Sequence, residues 1–325
     1  MSIKSISKPL LVVAATTAVA SSLGAYIWKI EARPPILEIY VFVLSSGRSM
    51  FIRTPEDKRV LIDGGSNSEI VRKLTDILPF YSRRIDKIIA TNTEGKNISG
   101  LIDIIERYDV SEAYISGINL EVLGIASSSD QIFSTFTDTL QREVIKTQEL
   151  IAGDNIHLDN KTDLHVFFPV HQDRFAYSKA SAPEILFSIS LGATSVTFLG
   201  NASNKVQKFI ASTSPIIDET TKTNEITTDI LIVSHSALPV NISPVLMDKL
   251  RPKYLIYSKL IRNTSTKSVK DSKTASLKKK EIKDPLGYVL DENRFNLKER
   301  GAIKITSDGI GVSVADISGR SDVLY

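Results

Sequence analysis

Cysteine is absent from the 325 residues. Disulfides and thiolate metal centres are therefore excluded, although the absence does not fix a compartment. Histidine is scarce: His157, His165, His171 and His235 are the only four. Any imidazole-rich metal site has to draw on these. Charge of one sign is lacking too, because 40 Lys and Arg nearly balance 37 Asp and Glu. A net charge of +3 is too small to imply a nucleic-acid partner by itself. No internal repeat of solenoid type is present.

What the N-terminus has is a long uncharged run, "PLLVVAATTAVASSLGAYIW", at residues 9–28. At ~1.5 Å per residue its length matches a ~30 Å hydrocarbon core. Tyr26 and Trp28 stand at its far end, where amphipathic rings favour the interface. The run is expected to be a single-pass anchor in the cell membrane, with residues 1–8 cytoplasmic and residues 29–35 a linker. Lys4 and Lys8 on one side, against Lys29 and Arg33 offset by Glu31, tilt the orientation toward N-inside. Residues 36–325 then form an extracytoplasmic domain. A signal peptide cleaved at the "AVA" of residues 18–20 remains open, as does a buried soluble helix.

Beyond Pro34 and Pro35 the pattern changes. "ILEIYVFVL", "SMFIRT" and "RVLIDGG" read as three strands, with a turn over residues 45–48. "SEIVRKLTDILPF" carries Ile70, Val71, Leu74, Ile77 and Leu78 at helical spacing. The strand "IDKIIAT", the helix "SGLIDIIERY" and the strand "SEAYIS" follow. Residues 129–147, "SDQIFSTFTDTLQREVIKT", are expected to form one longer amphipathic helix. The second half repeats the style. "LHVFFPV", "EILFSISL", "SVTFLG", "TDILIVSH" and "KYLIYS" read as strands, and "PVLMDKL" as a helix. "GAIKITSDGIGVSVADI" reads as a hairpin turned at Asp308-Gly309. Strand clusters alternating with helices in two halves predict an α/β fold with central sheets and outer helices. Residues 259–283 are Lys-, Ser- and Thr-rich and are expected to be a flexible loop.

These stretches together resemble a metallo-β-lactamase-fold domain, of the type at the C-terminus of ComEC competence proteins, the bacterial DNA-uptake channels. The family runs L-D-V-G-Q-G-D, I-R-T-P, L-I-D-G-G, a helix, then T-H-x-H-x-D-H. This chain follows that order from residue 37 to residue 317. The resemblance implies an αββα sandwich of the metallo-β-lactamase type; the one N-terminal transmembrane helix is expected from the uncharged run at residues 9–28. In the family, the His and Asp of T-H-x-H-x-D-H bind two metal ions. The same frame here reads Thr91-Asn92-Thr93-Glu94-Gly95-Lys96-Asn97. The family's T-G-D becomes Leu199-Gly200-Asn201, its H-H-G-S becomes His235-Ser236, and V-G-Q-G-D becomes "LSSGRS". Asn92, Glu94, Lys96, Asn97, Asn201 and His235 thus stand at degenerate ligand positions, while the turn Asp63-Gly64-Gly65 is retained.

Zinc-type sites need several deprotonated ligands and, for catalysis, an open position. Asn is a poor ligand, and Lys96 places a cation where a metal would sit. No cofactor is therefore expected, beyond weak residual Zn or Mn binding at Asp63, Glu94 and His235. Asp63 is expected to accept backbone N–H groups. Asn92, Asn97 and Asn201 are expected to bond one another or water in a sealed pocket. His157, His165 and His171 read as surface or satisfied polar groups. The functional expectation is a catalytically inactive, membrane-anchored module that binds or scaffolds an unknown protein or ligand outside the membrane. The alternative is a divergent ComEC-like metal-dependent hydrolase or phosphodiesterase associated with DNA uptake or processing. A third is DNA binding by Lys270, Lys273, Lys278, Lys279, Lys280 and Lys283; without interleaved aromatics a solvated loop fits these lysines better, and near a bilayer attraction to anionic lipid is an equal rival.

Overall fold

Alternating apolar residues build the strands, and the computed structural model describes residues 16–19, 21–22, 36–118, 130–171, 174–178, 183–213, 228–233, 242–258 and 288–317. In chain order the strands are β1 (Leu37–Val43), β2 (Arg48–Arg53), β3 (Arg59–Ile62), β4 (Arg84–Ile89), β5 (Asp109–Ser116), β6 (Lys146–Leu150), β7 (Asn155–His157), β8 (Thr162–Phe168), β9 (Leu186–Leu191), β10 (Thr194–Gly200), β11 (Ile230–Val233), β12 (Tyr254–Tyr257), β13 (Arg294–Asn296), β14 (Ala302–Ser307) and β15 (Val312–Ile317). The helices are α1 (Glu69–Thr75), α2 (Gly95–Ile105), α3 (Asp130–Arg142), α4 (Asn204–Thr213), α5 (Pro244–Leu250) and the short α6 (Leu297–Arg300).

One sheet has the order β15-β14-β1-β2-β3-β4-β5-β6, and the other β13-β12-β11-β10-β9-β8-β7. Each is mixed. In the first, β1, β2 and β3 pair antiparallel, and β3, β4, β5 and β6 pair parallel. In the second, β8, β9 and β10 pair antiparallel, and β10, β11, β12 and β13 pair parallel. Period-2 alternation sorts each strand's side chains between two faces. Ile39, Val41, Val60 and Ile62 meet Val166, Phe187, Ile189 and Ile232 in a core between the sheets. Phe42, Phe51, Leu61 and Ile88 face outward onto Ile70, Leu74, Ile98, Leu101 and Phe136 of the first three helices. On the far side Phe167, Leu231 and Leu255 meet Val206, Ile210 and Leu246. The layers are therefore helix, sheet, sheet, helix. This mixed α/β two-sheet fold agrees with the expected sandwich. β3 is buried throughout its four residues, as suits a strand with a parallel neighbour and covered faces.

Several boundaries differ from expectation. Arg48 is not in a turn but is the first residue of β2, and it is buried. Helix α2 starts at Gly95, because the Asn97 and Ile98 N–H groups already bond to the Glu94 carbonyl at 2.8 and 3.2 Å. The expected helix "SGLIDIIERY" thus starts four residues earlier, inside the polar junction. The expected helix over residues 129–147 ends at Arg142, and Lys146 begins β6. The Ile145 N–H bonds to Leu140 O at 2.9 Å and the Val144 N–H to Gln141 O at 3.1 Å. These two bonds are the Schellman closure of a helix. It places Val144 at φ +55°. The hairpin at Asp308-Gly309 forms as expected, with Asp308 Oδ1 accepting the Ile310 and Gly311 N–H groups at 2.9 Å each. β6, β7, β13 and α4 had no counterpart in the sequence reading.

The expected anchor at residues 9–28 lies outside the described residues, except for 16–19 and 21–22, which are helical. Among the described residues, no helix is long and apolar enough to cross a membrane. The Lys-rich segment 259–283 and His235 also lie outside the described residues.

Candidate functional site

β3 and β4 run parallel, and both hand over to helices at their C-terminal ends. Neighbouring strand ends of this kind form a natural crevice in an α/β sheet. The second sheet closes over it: the Ile185 N–H, just before β9, bonds to Thr91 O at 2.7 Å. The turn after β3 is built from backbone contact. The Gly64 N–H bonds to Asn97 O at 2.6 Å, and the Gly100 N–H to Gly65 O at 3.0 Å. A Cβ at Gly100 would lie 2.0 Å from Gly64 O, so only two glycines allow the turn and α2 to approach this closely.

Asp63 sits at φ +55°, a conformation Asp tolerates better than most residues. It is 1% exposed. The sequence reading had its carboxylate serving its own turn, but it reaches across to Thr91, just past the end of β4. The Thr91 N–H donates to Oδ1 at 2.9 Å, and the Thr91 hydroxyl lies 2.7 Å from Oδ2. Arg48 Nε donates to Oδ2 at 2.7 Å. Arg48 Nη2 donates to Thr91 Oγ1 at 2.6 Å and forms an ion pair with Glu184 Oε1. That Glu184 contact lacks hydrogen-bond alignment, and Arg48 Nη1 is buried with no partner among the described residues. Phe198 of β10 lies under the guanidinium, 5.2 Å from ring centre to Cζ. The Asn201 N–H donates to Glu184 Oε2 at 3.1 Å.

One guanidinium thus faces two buried carboxyls. Burial pushes the Glu184 carboxyl up from its ordinary value against the pull of Arg48, and Asp63 pushes in the same direction. Burial also raises Asp63, opposed by Arg48 and the Thr91 donors. Burial opposes the Arg48 charge, but Glu184 and Asp63 more than compensate and hold it above its ordinary value.

The residues singled out from sequence divide into two groups. Asn92 and Asn97 are buried and joined, Asn97 Nδ2 to Asn92 Oδ1 at 3.1 Å, and Asn97 Nδ2 also reaches Glu94 Oε2 at 3.3 Å. Lys96 pairs with Glu94 at 2.9 Å at the half-exposed rim. Asn201 joins Glu184 through its backbone, not the two other asparagines. His157 is exposed and lies 2.6 Å from Asp163. His165 does not fit a satisfied polar group, since its Nε2 is buried without a partner among the described residues. His171 is exposed, as expected. Sequence reasoning missed Arg48, Thr91 and Glu184. The signal for Arg48 was a cation in "LSSGRS", and for Glu184 a lone acid opening the apolar run "EILFSISL".

Arg48 and Asp63 also border a cleft between the sheets, with Gly47, Phe198, Ile232 and Lys298 on its walls. It encloses about 60 Å³, room for roughly four water-sized groups. Among the described residues no three His, Asp or Glu side chains converge to hold a metal ion. The two carboxyls that do converge already have a guanidinium between them. This donor set does not fit a divalent ion.

No protein-family model matches the chain, and no curated protein matches it. Solved structures do. Zn²⁺-bound PqqB from Methylobacterium extorquens is similar at 12% identity over 68% of this chain and 88% of that one, with a TM-score of 0.45. A mutant of CmlA β-hydroxylase is similar at 14% identity and TM-score 0.44, over 70% of this chain but only 46% of that protein. The subclass B3 metallo-β-lactamase MEM-A1, from a soil metagenome library, is similar at 13% identity and TM-score 0.37, over 60% and 75%.

Proposed function

We propose that this chain is a catalytically inactive metallo-β-lactamase-like module, anchored in a membrane by residues 9–28, that binds or scaffolds a partner outside it. The observation that carries this reading is the guanidinium of Arg48 seated between Asp63 and Glu184. Hydrolysis on a metal needs anionic ligands that are free to bind it, plus a site for the activated water. Here the buried acids are engaged by Arg48 and Thr91, and the amides of Asn92 and Asn97 are engaged with each other. Recognition is then assigned to the outer surface, not to the crevice.

Metal content and turnover of the purified full-length chain test this. We expect no stoichiometric metal after growth and purification without chelator. We also expect no hydrolysis of a generic phosphodiester with added Mn²⁺ or Zn²⁺. Stoichiometric metal, with turnover abolished by His235→Ala, would overturn the reading in favour of a divergent hydrolase.

A further inference from the structure

The buried charges between the sheets carry one inference more, which rests on the reading of the module as metal-free. Arg48 belongs to the first sheet, at the start of β2. Asp63 follows β3 of the same sheet, while Glu184 precedes β9 of the second. Exposure is 9% for Arg48, 1% for Asp63 and 7% for Glu184. Two carboxylates held this close and this dry repel each other and lose hydration, so they need a proton or a cation between them.

The geometry points to Arg48 as the chain's own cation: its guanidinium stands in for a divalent ion, clamping Asp63 and Glu184 across the sheet interface and closing that position to metal. Its shape suits the task. Nε and Nη2 diverge toward different oxygens, Asp63 Oδ2 at 2.7 Å and Glu184 Oε1, and Nη2 also meets the Thr91 hydroxyl at 2.6 Å. The flat face rests on Phe198. An ammonium, as a point charge, cannot span these three directions with one planar group. Two features show a place built for the clamp. Gly200 has no side chain where a Cβ would fall 2.0 Å from Glu184 Oε1, and the Asn201 N–H holds the other Glu184 oxygen at 3.1 Å. The fixed positive charge sits in contact with both acids, so an approaching dication meets repulsion in a poorly screened interior.

The corollary concerns Arg48 variants. Without the guanidinium, Asp63, Glu184 and the Thr91 hydroxyl leave an all-oxygen cluster, with the Glu94 charge within electrostatic reach. Oxygen ligands of this kind favour hard cations such as Mn²⁺ over thiophilic ones.

The test compares full-length wild type, Arg48→Ala, Arg48→Gln, Arg48→Lys and the double variant R48A/E184Q. Thermal midpoints are measured with EDTA and with millimolar MnCl₂, and bound manganese is counted after gel filtration. Wild type and Arg48→Lys are each expected to melt at the same temperature in both buffers, because either cation excludes the metal, with Arg48→Lys lower than wild type because its ammonium cannot make all three contacts. Arg48→Ala and Arg48→Gln are expected to melt lower in EDTA, to regain most of the loss with Mn²⁺, and to retain about one ion per chain. The double variant is expected to lose that response. Variants unfolded in EDTA but folded with Mn²⁺ give the same support. Arg48→Ala and Arg48→Gln that gain no manganese, or stay unfolded in its presence, overturn the clamp, as does a response that survives Glu184→Gln. Stoichiometric manganese in wild type is a different result, since it ends the metal-free reading whatever the Arg48 variants do.

Discussion

Gly100 shows two residue-level effects in opposition. It lies inside α2, where Ala is intrinsically favoured over Gly by ~1 kcal/mol. Yet a Cβ there would stand 2.0 Å from Gly64 O and 2.7 Å from Asn67 O, both backbone atoms. Overpacking of a tight contact costs ~1–3 kcal/mol, and more when backbone has to move. The steric term wins, so Gly100→Ala should lower stability by ~2 kcal/mol or more in urea unfolding. An unchanged midpoint would mean that the Asp63-Gly64-Gly65 turn yields without cost. The glycines were legible in the sequence because their spacing is local. So were Asn92, Glu94 and Asn97, which lie within one junction and meet within one turn of α2. Arg48, Thr91 and Glu184 were not. Each is chemically ordinary in its own stretch, and they become one cluster only when the start of β2, the turn after β4 and the approach to β9 converge between the two sheets.

At the scale of elements, hydrophobic periodicity located most strands and helices but not where they stop. α3 is the clearest case. The apolar pattern runs on through Val144 and Ile145, so the sequence predicts a helix to residue 147. The Schellman closure ends it sooner, and Ile145 packs against the outer core with Leu140. Val144, at φ +55° and 88% exposed, takes the conformation that a β-branched residue adopts least readily. The side chain contributes little there and strains the backbone. Val144→Gly should therefore stabilise the fold by ~1 kcal/mol, read as a higher urea midpoint at unchanged slope. A lower midpoint would show that the valine makes contacts worth more than the strain. Between β4 and β5 an ion pair gives a pH prediction. Glu112 Oε2 lies 2.5 Å from Lys87 Nζ and 2.7 Å from Tyr114 Oη, with Lys146 Nζ 3.6 Å from Oε1. The Lys87 hydrogen bond, then that of Tyr114, holds its carboxyl down at about 2. A depressed carboxyl contributes stability above its unfolded value of 4.5, and this is lost as pH falls toward 2. The stability gap between wild type and Glu112→Gln should be full at neutral pH and close over that window. A gap independent of pH would exclude the ion pair as its source.

At the scale of the whole molecule, two sheets with helices outside followed from the alternation of strand clusters and helices, whereas sheet order did not. β13 has only three residues, too few for a period to register, and it finds its place through parallel pairing with β12. The membrane assignment is the part that rests on sequence alone. Among the described residues no helix meets the length and hydropathy of a span, and the large apolar side chains they expose are mostly isolated. If the chain associates with membranes, residues 9–28 are the segment whose length and lack of charge suit the bilayer. The full-length chain should then sediment with membranes and resist extraction at high salt and alkaline pH, and a variant lacking residues 1–35 should remain folded in the soluble fraction. One described feature would explain the opposite result. Phe80 and Tyr81, 92% and 76% exposed and stacked edge to face at 5.4 Å, stand beside Arg83 and Arg84, and aromatic rings flanked by arginines suit an anionic lipid surface. Should the truncated chain still sediment with anionic vesicles, replacing both aromatics with Ser should release it. Release by that change, and not by the truncation, would move the membrane contact from the N-terminus to the loop between α1 and β4.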